Sequence, residues 1–220
     1  MFFLNYYVFE KKQYNFIKSF TFVQTTDMPA KNKTRLAVFA SGSGSNAENL
    51  VRYFHGHPFI EIALVVTNRA DAFVLKRAER FNLPAVVISP SEWQQEESIK
   101  TLFLKKKIDG IVLAGYLLLI PEFFIRMYPE KIINIHPALL PEFGGKGMYG
   151  MHVHRAVINS GARKSGITIH IVDEAYDRGE IIFQQSLDVK QAETPESLAK
   201  RVQKLEHQHY PVVVEKYFAP

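Results

Sequence analysis

Asn134 and His136 stand two residues apart at the end of the apolar run "KIINIHP" (131–137). Side chains at i and i+2 of a strand point to one face. An amide and a titratable imidazole therefore project together just where Pro137 stops the strand. The stretch alone admits two readings, a reaction site or two satisfied polar groups at a strand end. A second segment bears on the choice. "VDEAYDRGEII" (172–182) is an acidic loop closing on Asp177, Arg178 and Gly179. A carboxylate there can meet His136 across the open end of a sheet, raising the imidazole pKa and favouring its cation. A cationic His136 and the Asn134 amide can together stabilise an oxyanion forming at a carbonyl. No Ser or Cys belongs to the group. The chemistry indicated is direct attack by a substrate nucleophile, with no acyl-enzyme.

A Gly/Ser turn, "FASGSGSNAENL" (39–50), supplies the second element of a site. Small residues let a ligand approach the backbone, and the following helix offers free N–H groups and positive partial charge. Gly42, Gly44 and Ala47 fit the dinucleotide pattern G-x-G-x-x-A, but that reading wants an acid at the end of the next strand. Thr67 and Asn68 stand there. A single phosphate held by Gly44, Ser45 and Asn46 is therefore preferred to a dinucleotide, with a simple tight turn as the bland alternative.

The elements that must position these residues alternate from residue 35 onward. Strands are expected at 35–40, 60–68, 84–89, 110–116 and 131–137. Helices are expected at 46–54, at 71–82 with Asp71 at its start, at 92–107 capped by Ser91, and shortly after Pro121. The second half changes character. A short helix at 154–161 precedes two alternating strands, 166–174 and 180–189, that read as a hairpin. Thr194 then caps a final helix that Pro211 is expected to kink or restart. The pattern predicts an α/β fold with a doubly wound, mostly parallel sheet and an antiparallel addition in its C-terminal half.

Composition narrows the class. The 220 residues carry a formal net charge of +5, with the charges interspersed. No basic block flanked by aromatics suggests nucleic-acid binding, and a modest positive balance suits small anionic substrates. With no cysteine, thiolate metal sites and Cys nucleophiles are excluded. The pairs "HGH" (55–57), "HVH" (152–154) and "HQH" (207–209) lack a carboxylate at ligand spacing, so no metal is expected. His170 reads as a core or supporting histidine. The loop 144–152 is Gly-rich and either moves on binding or is simply exposed. No apolar stretch is long enough to span a membrane. Residues 1–27 include nine Phe or Tyr and lack a signal-peptide pattern. Residues 1–34 are expected to be a disordered leader or a start-site artefact, with 35–220 forming one domain.

"SGSGSN", "NIHPALLP" and "GITIHIVDE" followed by "YDRGEII" together resemble the phosphoribosylglycinamide formyltransferase family. The resemblance covers about residues 35 to 218. It implies a Rossmann-like fold and transfer of a formyl group from 10-formyltetrahydrofolate, a co-substrate, to the amine of glycinamide ribonucleotide in purine biosynthesis. Carried over, Asn134, a protonated His136 and Asp177 are the catalytic set. Gly44, Ser45 and Asn46 are the substrate phosphate turn, Ala47 and Glu48 beside it are further substrate-binding residues, and Glu206 binds the ribose. Leu117, Leu118, Leu119, Ile120, Asn134, Val172 and Asp173 wall the folate pocket. Leu118 stands where many members carry Arg, and "DRGE" replaces the usual "DGG". The partners implied are small molecules, with no nucleic acid or membrane, in a cytoplasmic monomer or homodimer. Hydrolysis of the same donor, as in formyltetrahydrofolate deformylases, and a non-catalytic dinucleotide sensor are the alternatives.

Overall fold

The computed structural model describes residues 33–220, so the leader reading lies almost wholly outside the described residues. Thr34, assigned above to the leader, is the first residue of a strand. The strands are β1 (Thr34–Phe39), β2 (Ile60–Thr67), β3 (Ala85–Val87), β4 (Gly110–Leu113), β5 (Ile132–His136), β6 (Lys164–Ile171) and β7 (Ile181–Asp188). They form one sheet in the order β3-β2-β1-β4-β5-β6-β7. Pairings from β3 through β5 are parallel, and those of β5 with β6 and β6 with β7 are antiparallel. This is the doubly wound sheet with an antiparallel C-terminal addition that the sequence predicts.

The helices are α1 (Ser45–Tyr53), α2 (Val74–Arg80), α3 (Glu96–Lys105), α4 (Glu122–Met127), α5 (Met151–Asn159) and α6 (Pro195–Phe218). β4 and β1 are all but buried on both faces, as continuous apolar runs in a parallel sheet require. On one face Leu36, Val38, Val112, Ile133 and Ile135 pack against α1, α2, α5 and α6. On the other, Ala37, Phe39, Ile111 and Ile132 pack against α3 and α4, where Phe39, Phe103 and Phe124 form an aromatic cluster.

Several boundaries differ from the sequence reading for identifiable reasons. Helix α2 begins at Val74, not Asp71; Asp71 lies in the preceding turn, closed by the Ala72 N–H on the Arg69 carbonyl, and takes a bidentate contact from Arg69 at 2.8 and 3.0 Å. The Val74 N–H instead bonds the Gly42 carbonyl. The expected 92–107 helix is two pieces, a 3-10 turn (Glu92–Gln94) and α3. Ser91 stands at the N-cap of the first piece, as expected, but makes no side-chain cap bond; Ser89 and Glu92 bond reciprocally instead, the Ser89 N–H donating to the Glu92 carboxylate and its hydroxyl accepting from the Glu92 N–H. Helix α5 begins three residues earlier than expected.

Helix α6 runs unbroken through Pro211. A proline removes the N–H that would bond the carbonyl four residues back. That carbonyl, on His207, accepts instead from Asn49 Nδ2 at 2.8 Å. The Tyr210 hydroxyl, fully buried, donates to the Leu113 carbonyl of β4 and ties α6 to the sheet centre. Among the described residues no helix is long and apolar enough to cross a membrane.

Candidate active site

The chain leaves β1 for β2 on one side and returns to β4 on the other, so the direction of winding reverses between β1 and β4. Crevices at the carboxyl ends of strands around such a reversal are the usual ligand sites of open α/β sheets. A cavity of about 790 Å³ opens there. Its wall includes the turn Gly42–Asn46, Leu117, Asn134, His136, Asp177 and Glu206, brought together from five separate segments.

Asn134 and His136 share the β5 face with Ile132, and Pro137 ends the strand. The chain then bends back under control of Thr168, whose hydroxyl donates to the Ala138 carbonyl at 2.7 Å and accepts from the Leu140 N–H at 3.0 Å. This return brings the Phe143 carbonyl within 2.9 Å of His136 Nε2. A carbonyl only accepts, so Nε2 carries the proton and Nδ1 faces Asp177 Oδ2 at 3.5 Å. The other Asp177 oxygen lies 3.5 Å from His170 Nε2. Gly145 N–H donates to Asp177 Oδ2 at 2.9 Å, linking the Gly-rich loop to the same carboxylate.

The electrostatics bear on the expected charge of His136. His136 is only 3% exposed, and this burial pushes its pKa below the ordinary imidazole value. Asp177 and the Phe143 carbonyl pull upward, but do not overcome burial and the nearby His170. Burial therefore works against the cationic His136 expected above, and Asp177 works for it. Burial raises Asp177, yet His170, His136 and the Gly145 N–H outweigh it and hold the carboxyl below its usual range.

The opposite wall is the turn after β1. Gln203 donates to the Ser45 hydroxyl at 3.0 Å, and Asn46 Nδ2 donates to Glu206 Oε2 at 2.9 Å. Asn46 Oδ1 is buried and has no hydrogen-bond partner. Burial pushes the Glu206 carboxyl up to about 7, against the pull of Asn46.

Other expected site residues sit elsewhere. Ala47 is buried in the core, and Glu48 turns away from the cavity to Arg52 and Arg77. Of the expected folate wall, Leu117 lines the cavity, whereas Leu118 and Ile120 pack into the core and Leu119 is exposed outside the lining. Val172 packs against the core, and Asp173 closes a turn by accepting from the Ala175 N–H. Residues not singled out as site residues also line the cavity, among them Lys200, Gln203 and His154. Gln203 was findable, since Ala199, Gln203 and Glu206 follow i, i+4, i+7 spacing on one helical face.

The formyl transferase family model matches residues 34–214, from the first residue of β1 into the last turns of α6, and so takes in every segment of the cavity wall named above. The chain belongs to the formyl transferase family. Among similar family members, the chloroplastic phosphoribosylglycinamide formyltransferase of Arabidopsis thaliana is 43% identical over 188 residues, 83% of this chain and 64% of that protein. The chain spans 60% of the Vigna unguiculata protein of the same description. The phosphoribosylglycinamide formyltransferase of Bacillus subtilis is 35% identical, and the match covers 93% of it. Among solved structures, glycinamide ribonucleotide transformylase 1 of Geobacillus kaustophilus superposes with a TM-score of 0.78 at 38% identity, over 85% of this chain and 100% of that one.

Proposed function

We propose that the protein transfers a formyl group from 10-formyltetrahydrofolate to the amine of glycinamide ribonucleotide, a step of purine biosynthesis. One observation carries this reading. The polar set Asn134, His136 and Asp177 lines the same cavity as a Gly/Ser turn suited to a phosphate. The names of the Arabidopsis and Bacillus relatives agree with it.

In this reading the turn Gly44–Asn46 takes the ribonucleotide phosphate, and Glu206 accepts from the ribose hydroxyls. Asn46 Oδ1, buried without a partner, is an acceptor waiting for a donor. The folate ring lies against Leu117 and Tyr176, both exposed and both on the cavity wall. No metal takes part. The ribonucleotide amine attacks the formyl carbon, and Asn134 donates to the oxyanion of the tetrahedral adduct. His136, in its neutral form, and the Asp177 carboxylate act as one unit that takes up the amine proton. The imidazolium formed is stabilised by the carboxylate beside it. The same proton then serves the departing folate nitrogen. Holding two substrates in line supplies much of the rate. Residues 35–220 would act as one catalytic domain, as a monomer or homodimer in the cytoplasm.

The test follows folate absorbance with purified protein, a 10-formyl folate and glycinamide ribonucleotide. Deformylation that requires the ribonucleotide supports the transferase. Deformylation without it supports hydrolysis, and no reaction removes the assignment.

A further inference from the structure

Helix α2 contributes nothing to the cavity wall, yet it grips the phosphate turn from behind. The Val74 N–H donates to the Gly42 carbonyl at 3.1 Å, and Arg77 Nε donates to the Ser43 carbonyl at 2.7 Å. In a trans peptide the carbonyl of one residue and the N–H of the next point in opposite directions. Two carbonyls held by α2 therefore turn the N–H groups of Ser43 and Gly44 away from it. Both residues line the cavity, and Gly44 has the left-handed φ of 71° that lets successive N–H groups converge on an anion. The grip is close. A Cβ on Gly44 would lie 2.5 Å from Val74 Cγ2.

Arg77 is itself held in place. Glu48 pairs with it, and Arg52 fixes the same carboxylate at 2.7 and 3.0 Å. The Arg77 guanidinium lies 5.1 Å from the Phe73 ring centroid. Exposed ion pairs contribute little, because water screens them and two side chains must be ordered. The Arg77 and Glu48 side chains are only 22% and 16% exposed, which removes this pair from that class.

We propose that Arg77 is a positioning residue for the phosphate turn, holding the Ser43 carbonyl so that the Gly44 N–H faces the incoming phosphate. The proposal rests on the reading of this turn as the ribonucleotide's phosphate site. It gives the Glu48–Arg77 pair a role in affinity without contact to the ligand. Lysine keeps the charge but loses the planar fork that reaches Ser43 and Glu48 together.

The experiment compares wild type, Arg77→Lys and Arg77→Gln. Calorimetry measures glycinamide ribonucleotide and a 10-formyl folate separately, and thermal unfolding is recorded alongside. The expected ribonucleotide affinities fall in the order wild type, Lys, Gln, with a loss of about tenfold for Gln. Folate affinity stays level across the three. In turnover, KM for the ribonucleotide rises in the same order while kcat changes less than about twofold. Equal ribonucleotide affinity in all three, or parallel loss of both ligands, overturns the proposal. Wild-type protein that binds the folate but not the ribonucleotide overturns the underlying reading instead.

Discussion

The Asn134 amide faces His170 across the antiparallel pairing of β5 with β6, with Nδ2 3.1 Å from the imidazole Nε2. His170 Nδ1 lies 2.8 Å from the Ile171 carbonyl, so that nitrogen donates; in the neutral ring Nε2 accepts from Asn134, and the same nitrogen lies 3.5 Å from Asp177 Oδ1. One hydrogen of the Asn134 amide is thereby anchored, and the other is free for the cavity. His170 sets which way the proposed oxyanion donor points without lining the cavity itself. Replacing His170 by Phe should lower turnover by about tenfold, the worth of one misaimed hydrogen bond. Ribonucleotide affinity should be unaffected, and calorimetry beside steady-state rates checks both.

Asp177 contacts two imidazoles and the Gly145 N–H at once. Asp177→Asn keeps the shape but removes the charge that stabilises an imidazolium at His136. Turnover should fall by about a thousandfold while the ribonucleotide still binds. Near-normal turnover would show that the proton takes another route.

Glu206 couples affinity to stability. Its folded pKa of about 7 lies above the ordinary carboxylate value, so folding favours the protonated form. Its contribution is full at pH 4 and is lost as pH rises through 7. Glu206→Gln should therefore leave stability unchanged at about pH 4 and raise it by about 3 kcal/mol at pH 8. Denaturant unfolding at the two pH values measures this. The same variant should bind the ribonucleotide more weakly at pH 8, and wild-type affinity should rise between pH 6 and 8 as the carboxylate forms.

Gly179 closes the loop that delivers Asp177. A Cβ there would meet the Ile171 carbonyl oxygen at 1.8 Å, a backbone atom that cannot step aside. Gly179→Ala should cost about 2–4 kcal/mol or displace the loop, with activity falling in either case. Unfolding midpoints and turnover together report which occurs.

How much of this was legible in the sequence depends on the kind of contact. The two-residue spacing of Asn134 and His136 and the apolar runs of β1 and β4 express local periodicity, and the fold follows from them. The downward push on the His136 pKa does not, because Asp177 is visible in the sequence whereas the depth of burial is a property of the packed site. Ala47 and Glu48 adjoin the turn in sequence, but the helical rotation after Ser45 carries them to its far side. The continuity of α6 depends on Asn49, a residue 162 positions from Pro211, supplying the missing donor. Contacts of that range leave no local mark.

The most direct test of the central claim is a single turnover with a 10-formyl folate labelled with carbon-13 at the formyl carbon, followed by NMR in the presence of glycinamide ribonucleotide. The expected result is label in the formamide of the ribonucleotide product, with none released as formate. Label appearing as formate, at a rate indifferent to the ribonucleotide, would contradict transfer and assign the cavity to hydrolysis.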